Sequence, residues 1–228
     1  MINQKKVSIL QSNYIPWKGY FDIIKKSDVF IFHDDLQYTK GDWRNRNKIK
    51  TSNGVEWITI PCGTNEKRLI CEVELTDYSW QKKHWDKICM FYNKAKYFKE
   101  FKFFFEEFYL GYRWRSLSEL NQKFIKDISK EIFKFETKFE DSRMYDLKLS
   151  KSDRVVELLK KAGATTYLSG PSAINYLNEG VLSKINVKLE WMNYDFYPVY
   201  TQLYPPFDHC VSILDLIFNM GDDSLNYF

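Results

Sequence analysis

Two polar and aromatic stretches lie close together near the start of a chain of 228 residues. The first is Gln11-Ser12-Asn13-Tyr14-Ile15-Pro16-Trp17-Lys18-Gly19-Tyr20-Phe21-Asp22. The second is Gln37-Tyr38-Thr39-Lys40-Gly41-Asp42-Trp43-Arg44-Asn45-Arg46-Asn47-Lys48-Ile49-Lys50. In the first, Pro16 stands at a helix entrance and Gly19 one turn in, where backbone can come close to a ligand. A helix start of this kind presents free N–H groups to a phosphate. Asn13, Tyr14, Trp17, Lys18, Gly19 and Tyr20 are therefore expected to touch a substrate. In the second, the guanidiniums of Arg44 and Arg46 match phosphate or carboxylate, and the amides of Gln37, Asn45 and Asn47 suit sugar hydroxyls or bases, with Trp43 as an aromatic face. A solvated basic loop is the alternative for this stretch.

Further candidates stand at strand ends. Asp34 and Asp35 can orient a sugar or act as a base, although adjacent strand residues point to opposite faces, so one of the two is expected to face the site. Ser169, Gly170 and Ser172 form a second strand-to-helix step with two hydroxyls, readable as a phosphate site or as an ordinary helix cap. The three histidines His33, His84 and His209 are far apart and lack metal-ligand spacing, so no metal is expected. His209 is the candidate general base, while His84 lies among Trp80, Trp85 and Ile88 as a core histidine would. Cys210 beside it makes a poor dyad, because sequence neighbours on a helix do not face each other.

The elements that must hold these residues follow from apolar spacing. Val7 to Gln11 reads as a buried strand, Trp17 to Lys26 as an amphipathic helix, and Val29-Phe30-Ile31-Phe32 as a second buried strand. This is a βαβ unit, whose ligands gather beyond the carboxyl ends of the strands. Glu56 to Pro61 and Ile70 to Leu75 alternate like an antiparallel hairpin joined through Gly63 to Arg68. From 79 to about 135 the pattern is helical without interruption. Ser152 then opens a helix to Lys161, Thr165 to Leu168 is a strand, a further helix runs from Gly170 to about Leu177, and Val187 to Trp191 is a last central strand. Ser212 to Asn219 closes the pattern as a helix. The expected fold is α/β, with a Rossmann-like and mostly parallel sheet, an inserted helical layer at about 79–135 and a small antiparallel hairpin, all in one domain over 1–228.

Composition bounds the function classes. A net charge of +4 is too small to demand a polyanionic partner, so any nucleic-acid contact must be a local patch. Aromatic residues make up 18% of the chain, which points either to rings lining a groove or to the codon bias of an AT-rich genome. The four cysteines lack the spacing of a disulfide scaffold. No segment reaches the roughly 18 apolar residues of a membrane span, and a cytoplasmic location is expected.

With these residues in view, the chain resembles the WbqC-like protein family over nearly its whole length. The resemblance rests on residues 11–22, Asp34-Asp35-Leu36-Gln37-Tyr38-Thr39, Asp42-Trp43-Arg44-Asn45-Arg46-Asn47, Tyr167-Leu168-Ser169-Gly170-Pro171-Ser172-Ala173, and Tyr204-Pro205-Pro206-Phe207-Asp208-His209 with Ser212-Ile213-Leu214-Asp215-Leu216. It implies a place among genes for O-antigen and other bacterial surface polysaccharides, and it adds Tyr204 to the site. The implied activity is an acyl or aminoacyl transferase or ATP-dependent ligase that forms an amide on a nucleotide-linked amino sugar, with His209, Asp34 and Asp35 as catalytic residues. ATP, an acyl thioester or an aminoacyl-tRNA remain alternative donors. A non-catalytic glycan- or RNA-binding protein is the competing class. Oligomeric state is left open.

Overall fold

The first strand, β1 (Lys6–Leu10), buries Val7, Ser8 and Ile9 in succession, as a strand covered on both faces does. It leads through the turn 11–17 into α1 (Lys18–Lys25), whose Phe21, Ile23 and Ile24 are buried, and the chain returns as β2 (Val29–Phe32) parallel to β1, with Val7 opposite Val29. A computed structural model describes residues 4–175 and 179–228. The hairpin β3 (Arg46–Thr51) and β4 (Gly54–Thr59) follows, then α2 (Ser79–Tyr92), α3 (Phe98–Glu106) and α4 (Leu117–Asp127). Next come β5 (Lys138–Asp141), α5 (Lys151–Lys161), β6 (Thr166–Ser169), the short α6 (Glu179–Ser183), β7 (Lys188–Trp191) and α7 (Ile213–Met220).

The main sheet runs β5-β2-β1-β6-β7, and all its pairings are parallel. Alternation along β2 divides the interior into two parts. Phe30 and Phe32 face a core built with α1, α2, α3, α4 and α7. Val29 and Ile31, with Val7 and Ile9 of β1, face a smaller core that includes Leu158 and Leu159 of α5 and Leu189 of β7. Hence the crossover after β1 covers one face, and the helix that precedes β6 covers the other. The strand order reverses at β1, and the loops that leave the carboxyl ends of β1 and β6 part there to open a crevice.

The fold class agrees with the expectation, and four local expectations are corrected. The hairpin partner of β4 is β3, not 70–75; Arg46 pairs with Thr59 and Thr51 with Gly54. Ile70–Glu72 is a single tight turn, because Ile70 N–H and Cys71 N–H donate to Leu36 and Asp34 carbonyls of the loop after β2 rather than to a strand. β7 is an edge strand rather than a central one, and β5, unforeseen, forms the opposite edge. The helix expected from Gly170 is a tight helical turn over Pro171–Asn175; residues 176–178 lie outside those described. Among the described residues, no helix is long and apolar enough to cross a membrane.

Candidate functional site

The turn after β1 is built by hydrogen bonds from distant segments. Ser12 N–H donates to Asp34 Oδ1 at 2.7 Å, and Asp34 Oδ2 accepts from Ser118 Oγ and from Gln122 Nε2 at 3.0 Å. Asp34 is fully buried, so its carboxylate is spent on joining the ends of β1 and β2 to α4. Asp35 turns the other way and takes the Ser142 hydroxyl and the Arg154 guanidinium. The two carboxylates thus have separate partners.

Tyr14 N–H donates to the Trp43 carbonyl at 2.9 Å. Its hydroxyl lies 2.8 Å from His84 Nδ1 and 2.8 Å from the Tyr109 hydroxyl, so Tyr14 is placed in the core rather than on a rim. Burial pushes its phenol pKa well up and holds the His84 imidazole down at about 4. Ile15 has φ of 36°, a left-handed conformation strained for a β-branched residue. Asn47 holds it there: Nδ2 donates to the Tyr14 carbonyl at 3.0 Å and to the Ile15 carbonyl at 2.9 Å. Asn45 is also taken up by backbone, through the Ile60 carbonyl at 2.9 Å.

Beyond this turn lies a cleft of about 270 Å³ lined by Asn13, Pro16, Trp17, Trp43, Asn47 and Cys210. Gly19 permits it, since a Cβ there would meet Trp17 ring carbons at 2.3 to 2.7 Å; the missing side chain makes room for an indole across the first turn of α1. Lys18 is buried. Its ammonium donates to the Tyr227 carbonyl at 2.9 Å and the Pro198 carbonyl at 3.2 Å, lies 4.9 Å from the Tyr197 ring centroid, and burial draws its pKa down to about 8. The Tyr20 hydroxyl donates to the Gln11 carbonyl.

The segment before α7 closes the cleft. Ile213 N–H donates to the Pro16 carbonyl at 2.9 Å and Ser212 N–H to the Lys48 carbonyl at 2.8 Å, which lays residues 208–213 across the start of α1 and β3. Cys210 lines the cleft, and His209 is its neighbour in the chain. Its ring packs edge-on against Phe207 at 4.5 Å, and its Nδ1 is buried without a hydrogen-bond partner. Burial, and next the Lys18 ammonium, hold its pKa below the ordinary imidazole value. Asn13 Oδ1 and Ser12 Oγ are likewise buried and unpartnered.

The remaining expected residues are more scattered. Arg44 lies 3.4 Å from Asp42, and Arg46 stacks 4.3 Å from the Trp57 centroid beside Trp43, so both guanidiniums have partners. Gln37 is exposed and donates to the Glu66 carbonyl. Ser169 is buried at the end of β6 and Ser172 is exposed. A Cβ on Gly170 would lie 3.6 Å from the Tyr194 hydroxyl, whose ring in turn contacts Trp17 at 5.1 Å. Tyr204 packs edge-on against Phe91 of α2. Among the described residues, no cluster of His, Cys, Asp and Glu has the make-up of a metal site.

A second cavity, of about 490 Å³, lies over the carboxyl ends of β1, β2 and β6 and includes Gln11, His33, Lys151 and Tyr167. Gln11 and Tyr167 belong to stretches that stand out in the sequence and His33 ends a strand, but none of the four was among the expected site residues. Only the docking of α5 onto the sheet brings Lys151 to it and Arg154 to His33, and no local pattern encodes that.

The model of the WbqC-like protein family matches residues 11–227, which include every residue of both cavities except Ile9 and Leu10. The "Uncharacterized protein Rv1507c" of Mycobacterium tuberculosis is 42% identical over 225 residues, covering 98% of this chain and 97% of that one. No solved structure matches the chain.

Proposed function

This chain belongs to the WbqC-like protein family, and on that footing we propose that it transfers an acyl or aminoacyl group to the amine of a nucleotide-linked amino sugar in bacterial surface polysaccharide synthesis, O-antigen included. The observation that carries this reading is the cleft walled by Trp17, Trp43 and Cys210, with the buried, unpartnered Nδ1 of His209 on the residue next to Cys210. A ring kept neutral by burial and by the Lys18 ammonium is ready to accept a proton at neutral pH. The sugar lies against the indoles, with the amide of Asn13 on its hydroxyls. Its amine attacks the acyl carbonyl carbon, His209 takes the amine proton, and the donor's leaving group departs as the amide forms. The acyl group arrives as a thioester or an aminoacyl-tRNA, or is activated in place with ATP. In this reading 1–228 works as one α/β domain in the cytoplasm, with the helical segment at about 79–135 as the wall behind Tyr14.

Mass spectrometry of a nucleotide-linked amino sugar, incubated with the protein, ATP and pools of amino acids, acyl thioesters or charged tRNA, tests the reading. A mass gain on the sugar equal to one acyl or aminoacyl group is expected. No gain with any donor class overturns it.

One observation favours a second reading. Trp43 and Trp57 are each 40% exposed, their rings lie 5.2 Å apart, and Arg46 stacks on Trp57, which makes an open platform suited to a glycan or single-stranded RNA without chemistry. In that case the wild type binds the glycan or RNA without forming an amide, and Trp57→Ala weakens that binding.

A further inference from the structure

The cavity over β1, β2 and β6 has no part in the chemistry above, yet it sits at the place where this topology opens a crevice. Its volume of about 490 Å³ is that of a small-molecule site. Leu10, Leu36 and Val155 supply apolar walls beside the Tyr167 ring, while Gln11, Lys151 and Ser152 are polar.

His33 is built in rather than left over. It is only 4% exposed, and its Nε2 accepts from Arg154 Nε at 3.2 Å. The neutral ring therefore carries its proton on Nδ1, which remains a donor. Arg154 is in turn neutralised by Asp35. Lys151 has no ion-pair or hydrogen-bond partner among the described residues, so it brings an uncompensated positive charge to the opening of α5. The first-turn N–H groups of that eleven-residue helix add to it.

We propose that this cavity binds the nucleoside phosphate portion of a substrate, with the phosphates on Lys151, Ser152 and the start of α5 and the base between Leu36, Val155 and Tyr167. The proposal deepens the transfer reading and rests on it in one respect, the identity of the sugar attached. Gln11 lines this cavity and Asn13 lines the cleft. Two residues span at most about 7.6 Å between Cα atoms. A nucleoside diphosphate held in the cavity thus directs its sugar toward the indoles of the cleft. The chemistry is shared by two sources, a free nucleotide such as ATP and the nucleotide end of a nucleotide-linked sugar.

Calorimetry with UDP, UDP-N-acetylglucosamine, ATP and inorganic phosphate on the intact protein provides the test. The wild type is expected to bind at least one nucleoside phosphate more tightly than phosphate alone. Lys151→Ala should weaken it by tenfold or more. Ser152→Asp, which puts a carboxylate where the phosphates go and at a helix position that favours it, should weaken it further. Tighter binding of UDP-N-acetylglucosamine than of ATP identifies the sugar nucleotide as the source, and the reverse order identifies the free nucleotide. Absence of binding at millimolar ligand, equal affinity for inorganic phosphate, or wild-type affinity in both variants overturns the subsite. Nucleotide binding lost in Ser152→Asp, with no amide formed by the wild type, upholds the subsite and removes the transfer reading. Amide formation by Ser152→Asp with an unchanged KM does the opposite.

Discussion

His209 and Cys210 adjoin in the chain but differ in what surrounds them. The Cys210 thiol is exposed, and its N–H is held by Asp208 Oδ1 at 2.7 Å. The histidine ring is pinned on Phe207 with one nitrogen buried and unpaired. His209→Asn is expected to lower kcat by about 10² to 10⁴ with substrate affinity near wild type, the usual range for loss of a general base. Since burial and Lys18 depress its pKa, the rate should fall on acidification only below the ordinary imidazole value of about 6.5. Cys210→Ala should leave turnover within a few-fold; an inactive Cys210→Ala beside an active His209→Asn would instead point to a thiol nucleophile. Asn47 has a different duty. Asn47→Ala strips the donor from two buried carbonyls around the strained Ile15, and should cost about 2 kcal/mol or more in urea unfolding, at about 1 to 3 kcal/mol for each acceptor left unpaired. The amides of Asn45 and Asn47 were legible as hydrogen-bonding groups, but their carbonyl partners were not, because those partners belong to other segments of the chain.

Asp34 governs how the elements meet. Its carboxylate collects Ser12 of the β1 turn with Ser118 and Gln122 of α4, so Asp34→Ala releases a buried N–H and uncouples the sheet from the helical layer. A loss of about 3 kcal/mol or more is expected by chemical denaturation, from hydrogen bonds to a charged acceptor. Substrate affinity should fall as well, since Asn13 follows the released residue. Asp35→Ala should instead loosen α5 through Arg154 and spare the cleft. Fluorescence of Trp17 and Trp43, altered in the first variant and unchanged in the second, separates the two. The elements around Asp34 show what a local pattern conveys. β1, α1 and β2 follow from apolar spacing, whereas β3 did not stand out, because its one-letter run RNKIKT places Asn47 where an apolar residue would mark a strand.

Across the whole molecule, two buried groups oppose each other in acid. His84 ionises at about 4 when folded, against about 6.5 unfolded. Between those values the unfolded chain takes up a proton that the folded one refuses, so stability falls as pH falls. Burial raises the Asp215 carboxyl to about 6, although Tyr200 and Tyr92 hydroxyls donate to it. Unfolded, it ionises near about 3.9. Between those values the folded chain holds the extra proton, so stability rises as pH falls. Each contribution is on the order of 3 kcal/mol at about 1.4 kcal/mol per unit, and they nearly cancel between about pH 4 and 6. Relative to wild type, His84→Gln should gain urea resistance on going from pH 7 to pH 4.5, and Asp215→Asn should lose it. Profiles parallel to wild type in both variants would refute the opposition.

The order of residues alone settles what neighbours decide. Runs such as Val-Phe-Ile-Phe form strands because burial on both faces suits them, the apolar stripe of α5 forms a helix, and Ser212 caps α7 by accepting Leu214 N–H. From these the parallel α/β class follows, and so does the expectation that chemistry gathers past the strand ends. Tertiary structure decided the rest. It put Tyr14 into the core, spent Asp34 on a joint between elements, and set His33 with Arg154 beside a cavity. Each of these depends on groups brought together from far apart, from 22 residues for Ser12 and Asp34 to 121 for Arg154 and His33. Such pairings exist only after the chain has closed those loops, and no local periodicity records which distant donor a buried acceptor will find.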